Sequence, residues 1–201
     1  MNKYDLAIIG SGPCGYVAAI RAAQLGLKAC IFEKDSIGGV CLNWGCIPTK
    51  ALSASANALY DISRASEFGV DVKKFSLNFS KVNERKEGIV KKLSMGVEML
   101  LKARKLEIIK ENAEIKSPSV IRTANLEIEV KNILIATGSI PFELPGIPFD
   151  HTDILSSTDI LELKSVPKSL VIVGGGVIGC EFASIFRSFG SEITIIEAMP
   201  Q

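Results

Sequence analysis

The chain has 201 residues, 47% of them hydrophobic, and a formal net charge of +1. That length and apolar content can bury a core in one or two domains, and the near-zero charge removes the electrostatic case for nucleic acid or an acidic membrane surface. No apolar run is long enough to span a bilayer, and five cysteines without secretory features point to a reducing cytoplasm, where a cysteine pair is more often catalytic than structural. Met1 stands so close to the first strand-like run that no signal or transit peptide is expected.

Tyr4 to Ile9 reads as a short buried strand. Gly10-Ser11-Gly12-Pro13-Cys14-Gly15 follows, then a helical run from Tyr16 to Leu25 and a second strand from Leu27 to Phe32 that ends in Glu33. Strand, glycine turn, helix, strand and acid form a dinucleotide-binding pattern. The first glycine permits a tight turn, the second lets the backbone approach a pyrophosphate, and the third lets helix and strand pack closely. The helix N-terminus offers N–H groups to the phosphates. Glu33 is placed to bind an adenosine ribose hydroxyl.

Gly38-Gly39-Val40-Cys41-Leu42-Asn43-Trp44-Gly45-Cys46-Ile47-Pro48-Thr49-Lys50 comes next. Its two cysteines stand five positions apart, with a lysine after them. Zinc sites usually bring cysteines at closer spacing and need four ligands, so no metal is expected. A dithiol that opens and closes as a disulfide needs only two sulfurs within bonding reach, and an electron source.

Ala51 to Ser63 reads as helical, with Pro48 near its start. Gly69 to Leu77 reads as a loop and Phe79 to Lys105 as a long amphipathic helix. Leu106 to Ile109, Ala113 to Ile115, Val120 to Arg122, Leu126 to Val130 and Asn132 to Ile135 read as short strands of an antiparallel meander. They lead into the small-residue turn Ala136-Thr137-Gly138-Ser139. Pro141, Pro145, Gly146 and Pro148 mark a connection out of the domain.

Leu170 to Val173 begins a second round. Gly174-Gly175-Gly176-Val177-Ile178-Gly179, a helix from Cys180 to Phe189, and a strand from Glu192 to Ile196 ending in Glu197 repeat the opening at a constant offset of 164. Gly10, Gly12, Gly15, Gly26 and Glu33 map onto Gly174, Gly176, Gly179, Gly190 and Glu197. A repeat in register is stronger than either motif alone and implies two dinucleotide sites. The expected class is α/β, with a first domain over 1–148 and, over 149–201, a connection and the first βαβ unit of a second. A doubly wound domain needs more strands than that, so a longer protein is expected. Cys14, Cys30 and Cys180 are read as packing residues and His151 as a solvated surface residue.

The Gly38-to-Lys50 stretch, the two glycine loops and the Ala136-Thr137-Gly138-Ser139 turn resemble the pyridine nucleotide–disulfide oxidoreductase family. The resemblance covers essentially the whole chain. Leu42 and Ile47 favour its lipoamide branch, whereas Trp44 and Thr49 depart from the valine and serine commonest there. The resemblance implies a Rossmann-like FAD-binding domain with an antiparallel β-meander, followed by the start of a Rossmann-like NAD-binding domain. For FAD it implies Gly10, Ser11, Gly12, Pro13, Cys14, Gly15, Glu33, Lys34, Gly39, Val40, Cys41, Lys50, Ala113, Thr137, Gly138 and Ser139. For NAD it implies Gly174, Gly175, Gly176, Val177, Ile178, Gly179 and Glu197, whose carboxylate favours a ribose hydroxyl over a 2′-phosphate.

Cys41 resembles the family's interchange thiol and Cys46 the thiol nearer the flavin. Lys50 corresponds to a lysine beside the flavin ring, and a buried lysine needs a counter-ion, which Glu181 supplies in the family pattern. The implied reaction oxidises protein-bound dihydrolipoamide and passes electrons through a Cys41–Cys46 disulfide and FAD to NAD. The implied partner is a lipoyl-bearing carrier protein of a 2-oxoacid dehydrogenase complex, in the cytoplasm, and full-length members are homodimers. Their acid–base histidine lies in a C-terminal dimerisation domain, so the 201-residue piece alone is expected to show no appreciable lipoamide turnover. A non-catalytic flavin-binding remnant and another disulfide reductase, such as mercuric reductase, are the alternative readings.

Overall fold

The computed structural model describes residues 3–200. In chain order the elements are β1 (Lys3–Ile9), α1 (Pro13–Gln24), β2 (Ala29–Phe32), α2 (Gly39–Asn43), α3 (Cys46–Ser63), α4 (Phe79–Ala103), β3 (Glu107–Ile109), β4 (Glu114–Ser117), β5 (Val120–Arg122), β6 (Glu127–Ile135), β7 (Ser169–Val173), α5 (Val177–Phe189) and β8 (Glu192–Ile196). They pack as two units that do not follow a sequential division at residue 148. One holds the chain up to Gly45 together with Val90–Ile140, and the other holds Cys46–Ile89 and the chain from Pro141 onward.

The first unit is built on a six-stranded sheet of order β3-β2-β1-β6-β5-β4. β3, β2, β1 and β6 run parallel, while β4 and β5 form an antiparallel edge. All four residues of β2 are buried, as suits a strand covered on both faces. Helix α1 buries Gly15, Ala19 and Ala22, one face at helical spacing whose small side chains let it lie close to the strands. Tyr4, Ala7, Cys30, Phe32, Ile109, Ile121, Ile128 and Val130 form the core cluster.

Two meander expectations need correction. Residues 106–109 do not join the meander: β3 lies parallel to β2, and a parallel neighbour requires a crossover, which the long intervening segment supplies. The two expected strands over 126–135 are one, β6. Lys131 and Asn132 look like an interruption in sequence, but each has a partner on β1. Lys131 Nζ lies 2.7 Å from an Asp5 carboxylate oxygen, and Asn132 Nδ2 donates to Asp5 O at 3.2 Å. β6 can therefore pair antiparallel with β5 near its start and parallel with β1 as far as Ile135.

The second unit contains the parallel pair β7–β8, joined by α5. Its core gathers Leu52 and Ala56 of α3, Ile160 and Leu161 of a short 3-10 turn, and Phe182, Ile185, Phe186 and Phe189 of α5. Phe189 meets Phe186 and Phe79 edge to face, with ring centroids 6.0 and 5.7 Å apart. Leu170, Ile172 and Ile193 pack against this cluster, while Val171, Val173 and Ile196 are exposed. Among the described residues, no helix is long and apolar enough to cross a membrane.

Candidate dinucleotide and redox site

In the first unit the glycine loop follows β1. Gly10 has φ +101°, and a Cβ on it would stand 2.2 Å from Ala136 O. A Cβ on Gly15 would stand 1.8 Å from Gly10 O, so the third glycine is required where α1 crosses the loop. Gly12 begins α1 without a side-chain cap, which leaves first-turn N–H groups facing outward. Ala136 N donates to Ile9 O at 2.8 Å, so Thr137, Gly138 and Ser139, all exposed, leave the sheet beside the loop. A ligand crevice in an open α/β sheet lies outside the carboxyl ends of its strands, where β1 and β6 both end here.

The stretch that carries Cys41 and Cys46 is fastened to this loop. Gly38 N donates to Ser11 O at 3.1 Å and to Ser11 Oγ at 3.2 Å. Gly38 and Gly39 have φ of +102° and +61°, and a Cβ on Gly39 would stand 2.7 Å from Gly12 Cα. Ile37 O receives Ser94 Oγ at 2.8 Å and Asn43 Nδ2 at 3.1 Å, and Asn43 Nδ2 also reaches Gly39 O at 3.0 Å. Cys41 lies half-buried in the helix so held, with Val40 exposed beside it.

Glu33 is only 8% exposed. Its Oε2 accepts Ser11 N at 2.9 Å and Ser11 Oγ at 2.6 Å, and its Oε1 accepts Asp35 N at 2.9 Å. The acid read as a ribose contact thus also latches the loop. Lys34 is exposed in the turn that follows. Ala113, expected to begin a strand, lies just before β4 and packs half-buried against the core cluster. The loop geometry, the uncapped N–H groups and the glycine-only contacts fit the pyrophosphate of a dinucleotide.

The second unit repeats the backbone bonds of the loop. Gly174 has φ +104°, and a Cβ on Gly179 would stand 2.3 Å from Gly174 O. Gly176 begins α5 without a side-chain cap, and Val177 and Ile178 are exposed. Gly174 N donates to Ile196 O at 2.8 Å, as Gly10 N does to Phe32 O. Glu197 accepts Gly175 N at 2.7 Å and Met199 N at 2.8 Å, the counterparts of Ser11 N and Asp35 N on Glu33. The N–H groups of Met199 and Gly175 hold the Glu197 carboxyl below the usual carboxylate range.

Cys46 is the first residue of α3, so the helix begins at the second cysteine and not at Ala51. Lys50 Nζ pairs with Glu181 Oε1, the contact expected from sequence. Lys50 is not buried, however: its side chain is 63% exposed and that of Glu181 34%. The buried face of α3 carries Leu52 and Ala56, and Lys50 projects away from it. Cys14 and Cys180 are also exposed, not packed, because each occupies the open first turn of its helix; Cys180 Sγ donates to Gly175 O at 3.2 Å. Cys30 is buried as expected. His151 is exposed but not merely solvated, since its Nδ1 lies 3.1 Å from both carboxylate oxygens of Asp159.

Gly38, Asn43 and Ser94 belong to the site beyond the residues expected from sequence. A glycine pair followed by Asn43, four residues after Gly39, was the available signal for the first two. Ser94 is far off in sequence and had none. No cluster of three or more metal-ligating side chains occurs among the described residues.

The family described as pyridine nucleotide-disulphide oxidoreductase matches residues 4–201. The dihydrolipoyl dehydrogenase of Chlamydia pneumoniae is 44% identical over 201 residues, covering 98% of this chain and 43% of that protein. One from Bacillus subtilis is 48% identical over 198 residues, covering 96% and 43%. The Cu(II) complex of the HOCl-induced flavoprotein disulfide reductase RclA from Escherichia coli superposes with a TM-score of 0.79 at 34% identity, covering 98% of this chain and 43% of that one. The chain therefore spans less than half the length of these relatives.

Proposed function

The chain belongs to the pyridine nucleotide-disulphide oxidoreductase family, and from that premise we propose that it carries the FAD-binding and disulfide-bearing part of a dihydrolipoyl dehydrogenase. The observation that carries this reading is the seating of the Gly38–Gly39 backbone on the Ser11–Gly12 loop, which ties the Cys41 helix to a dinucleotide cradle. The substrate is the dihydrolipoyl group of a carrier protein in a 2-oxoacid dehydrogenase complex, NAD is the final acceptor, and the whole protein is a cytoplasmic homodimer.

The chain's own residues perform the thiol chemistry. A substrate thiolate attacks Cys41 Sγ of the Cys41–Cys46 disulfide, forming a mixed disulfide and releasing Cys46 as thiolate. The second substrate thiolate attacks the substrate sulfur of that mixed disulfide, closing the lipoyl ring and releasing Cys41. The substrate is oxidised by two electrons and the cysteine pair reduced by two. FAD, when bound, supplies the acceptor that returns the pair to the disulfide. The first glycine loop and the Thr137–Ser139 turn hold FAD, with Glu33 at its ribose. Lys50 contributes positive charge that Glu181 orients. The second loop and Glu197 hold NAD, with acceptor capacity on the Glu197 carboxylate left for its ribose.

Trapping tests the assignment of Cys41. Reduced Cys46→Ser is mixed with oxidised lipoamide: Cys41 opens the lipoyl disulfide, forms a mixed disulfide and leaves one lipoyl thiol. The expected result is an adduct on the Cys41 peptide of Cys46→Ser and little or none on the Cys46 peptide of Cys41→Ser, read by peptide mass so that exposed Cys14 and Cys180 do not contribute. Equal adduct on both variants overturns the assignment.

A further inference from the structure

Ser11 is completely buried, and each of its polar groups is engaged. Its N–H and O–H both donate to Glu33 Oε2, while its carbonyl O and Oγ both receive the Gly38 N–H. One side chain therefore joins the acid after β2 to the residue that opens α2. The second repeat provides an internal comparison. Its equivalent residue is Gly175, which gives Glu197 a backbone N–H and nothing more. The hydroxyl is present in the repeat whose loop carries a redox helix and absent from the other. Its bond to Glu33 is charge-assisted and buried, the stronger class of hydrogen bond.

We propose that Ser11 is a positioning residue for Cys41: its hydroxyl couples Glu33 to Gly38 and so fixes the start of α2, three residues before the reactive sulfur. The proposal rests on Cys41 and Cys46 being the redox pair. Without the hydroxyl, Gly38 N–H keeps only the Ser11 carbonyl and the head of α2 loosens. Greater freedom in the dithiol state lowers the effective concentration of one thiol at the other, and the disulfide becomes easier to reduce.

The test uses Ser11→Gly, a residue the second loop already accommodates at the equivalent position, and Ser11→Ala. Each chain is equilibrated with mixtures of dithiothreitol and its cyclic disulfide, then alkylated and weighed. Two electrons and two protons pass from dithiothreitol to Cys41 and Cys46 as the reagent closes its own ring. Losing one buried charge-assisted bond should shift this equilibrium constant toward the dithiol by about fivefold, or about 20 mV for a two-electron couple. Buried Cys30 should stay unreactive, which reports an intact sheet. A shift under about 1.5-fold overturns the proposal. So does a shift that tracks new Cys30 reactivity, because Ser11 then supports the whole sheet and not the redox helix. If the unsubstituted chain forms no Cys41–Cys46 disulfide in any mixture, the redox reading fails separately. The positional claim is then decided by the alkylation rate of Cys41 relative to Cys46, expected to rise about fivefold in both variants; an unchanged ratio overturns it.

Discussion

Gly39→Ala puts the close approach of redox helix and glycine loop under direct strain. The added methyl would stand 2.7 Å from Gly12 Cα and 3.1 Å from Gly12 N, on a backbone at φ +61°. A left-handed conformation costs an alanine about 1 kcal/mol. Carbon atoms prefer about 3.5 Å or more, so the loop must also yield by about 0.8 Å, and overpacking of that kind costs about 1–3 kcal/mol. The sum is about 3 kcal/mol. Gly26→Ala is the control, because its φ is +78° but a Cβ there meets nothing within 4 Å. It should lose about 1 kcal/mol, from backbone strain alone. At about 2–4 °C per kcal/mol for a chain of this size, Gly39→Ala should melt about 4–8 °C below Gly26→Ala. Circular dichroism gives the melting points, and quenching of flavin fluorescence gives FAD affinity, which should fall at least about tenfold in Gly39→Ala only. Equal melting points and equal affinities would show that Gly39 and Gly12 do not approach as closely as this.

Glu181→Gln breaks a partly exposed ion pair, so it should cost under about 1 kcal/mol; a melting point lowered by more than about 4 °C would show the pair to be structural. Burial pushes the Cys30 thiol up to about 12, so its thiolate fraction at pH 8 is about one part in ten thousand, against about a quarter for an ordinary thiol near 8.5. Peptide mass spectrometry after iodoacetamide at pH 8 should show Cys30 modified at least about a thousandfold more slowly than a fully exposed thiol. Because the folded value is raised, stability from the neutral thiol is complete below the unfolded value and is lost as pH climbs toward 12; stability rising over that interval would contradict the burial. Lys86 is buried, its Nζ bonded to Leu161 O, and burial lowers its pKa. Lys86→Met should change stability by no more than about 1 kcal/mol or raise it near pH 7, with the wild-type chain gaining relative to the variant as pH rises toward the ordinary lysine range. A large loss in urea denaturation near pH 7 would show that the bond to Leu161 outweighs the desolvation.

The parts of the fold written in local chemistry were readable. The two glycine loops could be found because each needs glycine at fixed places, and the offset of 164 extends to single hydrogen bonds, Ser11 N to Glu33 matching Gly175 N to Glu197. What could not be read depends on partners distant in sequence. β6 is unbroken because its backbone pairs with β1 from Glu129 to Ile135, with Lys131 and Asn132 both reaching Asp5. β3 is parallel only because β2 lies beside it. The role of Ser11 depends on Gly38 arriving from 27 residues away. The Lys50–Glu181 contact was legible through family resemblance alone, since no spacing rule links residues 131 apart.

We propose that Cys41 and Cys46 form a redox pair in communication with a bound FAD. An anaerobic reductive titration of the FAD-loaded chain decides it. The prediction is that the unsubstituted chain takes up twice as many electrons per flavin as Cys41→Ser, the surplus residing in the disulfide. Equal electron uptake by both chains would contradict it.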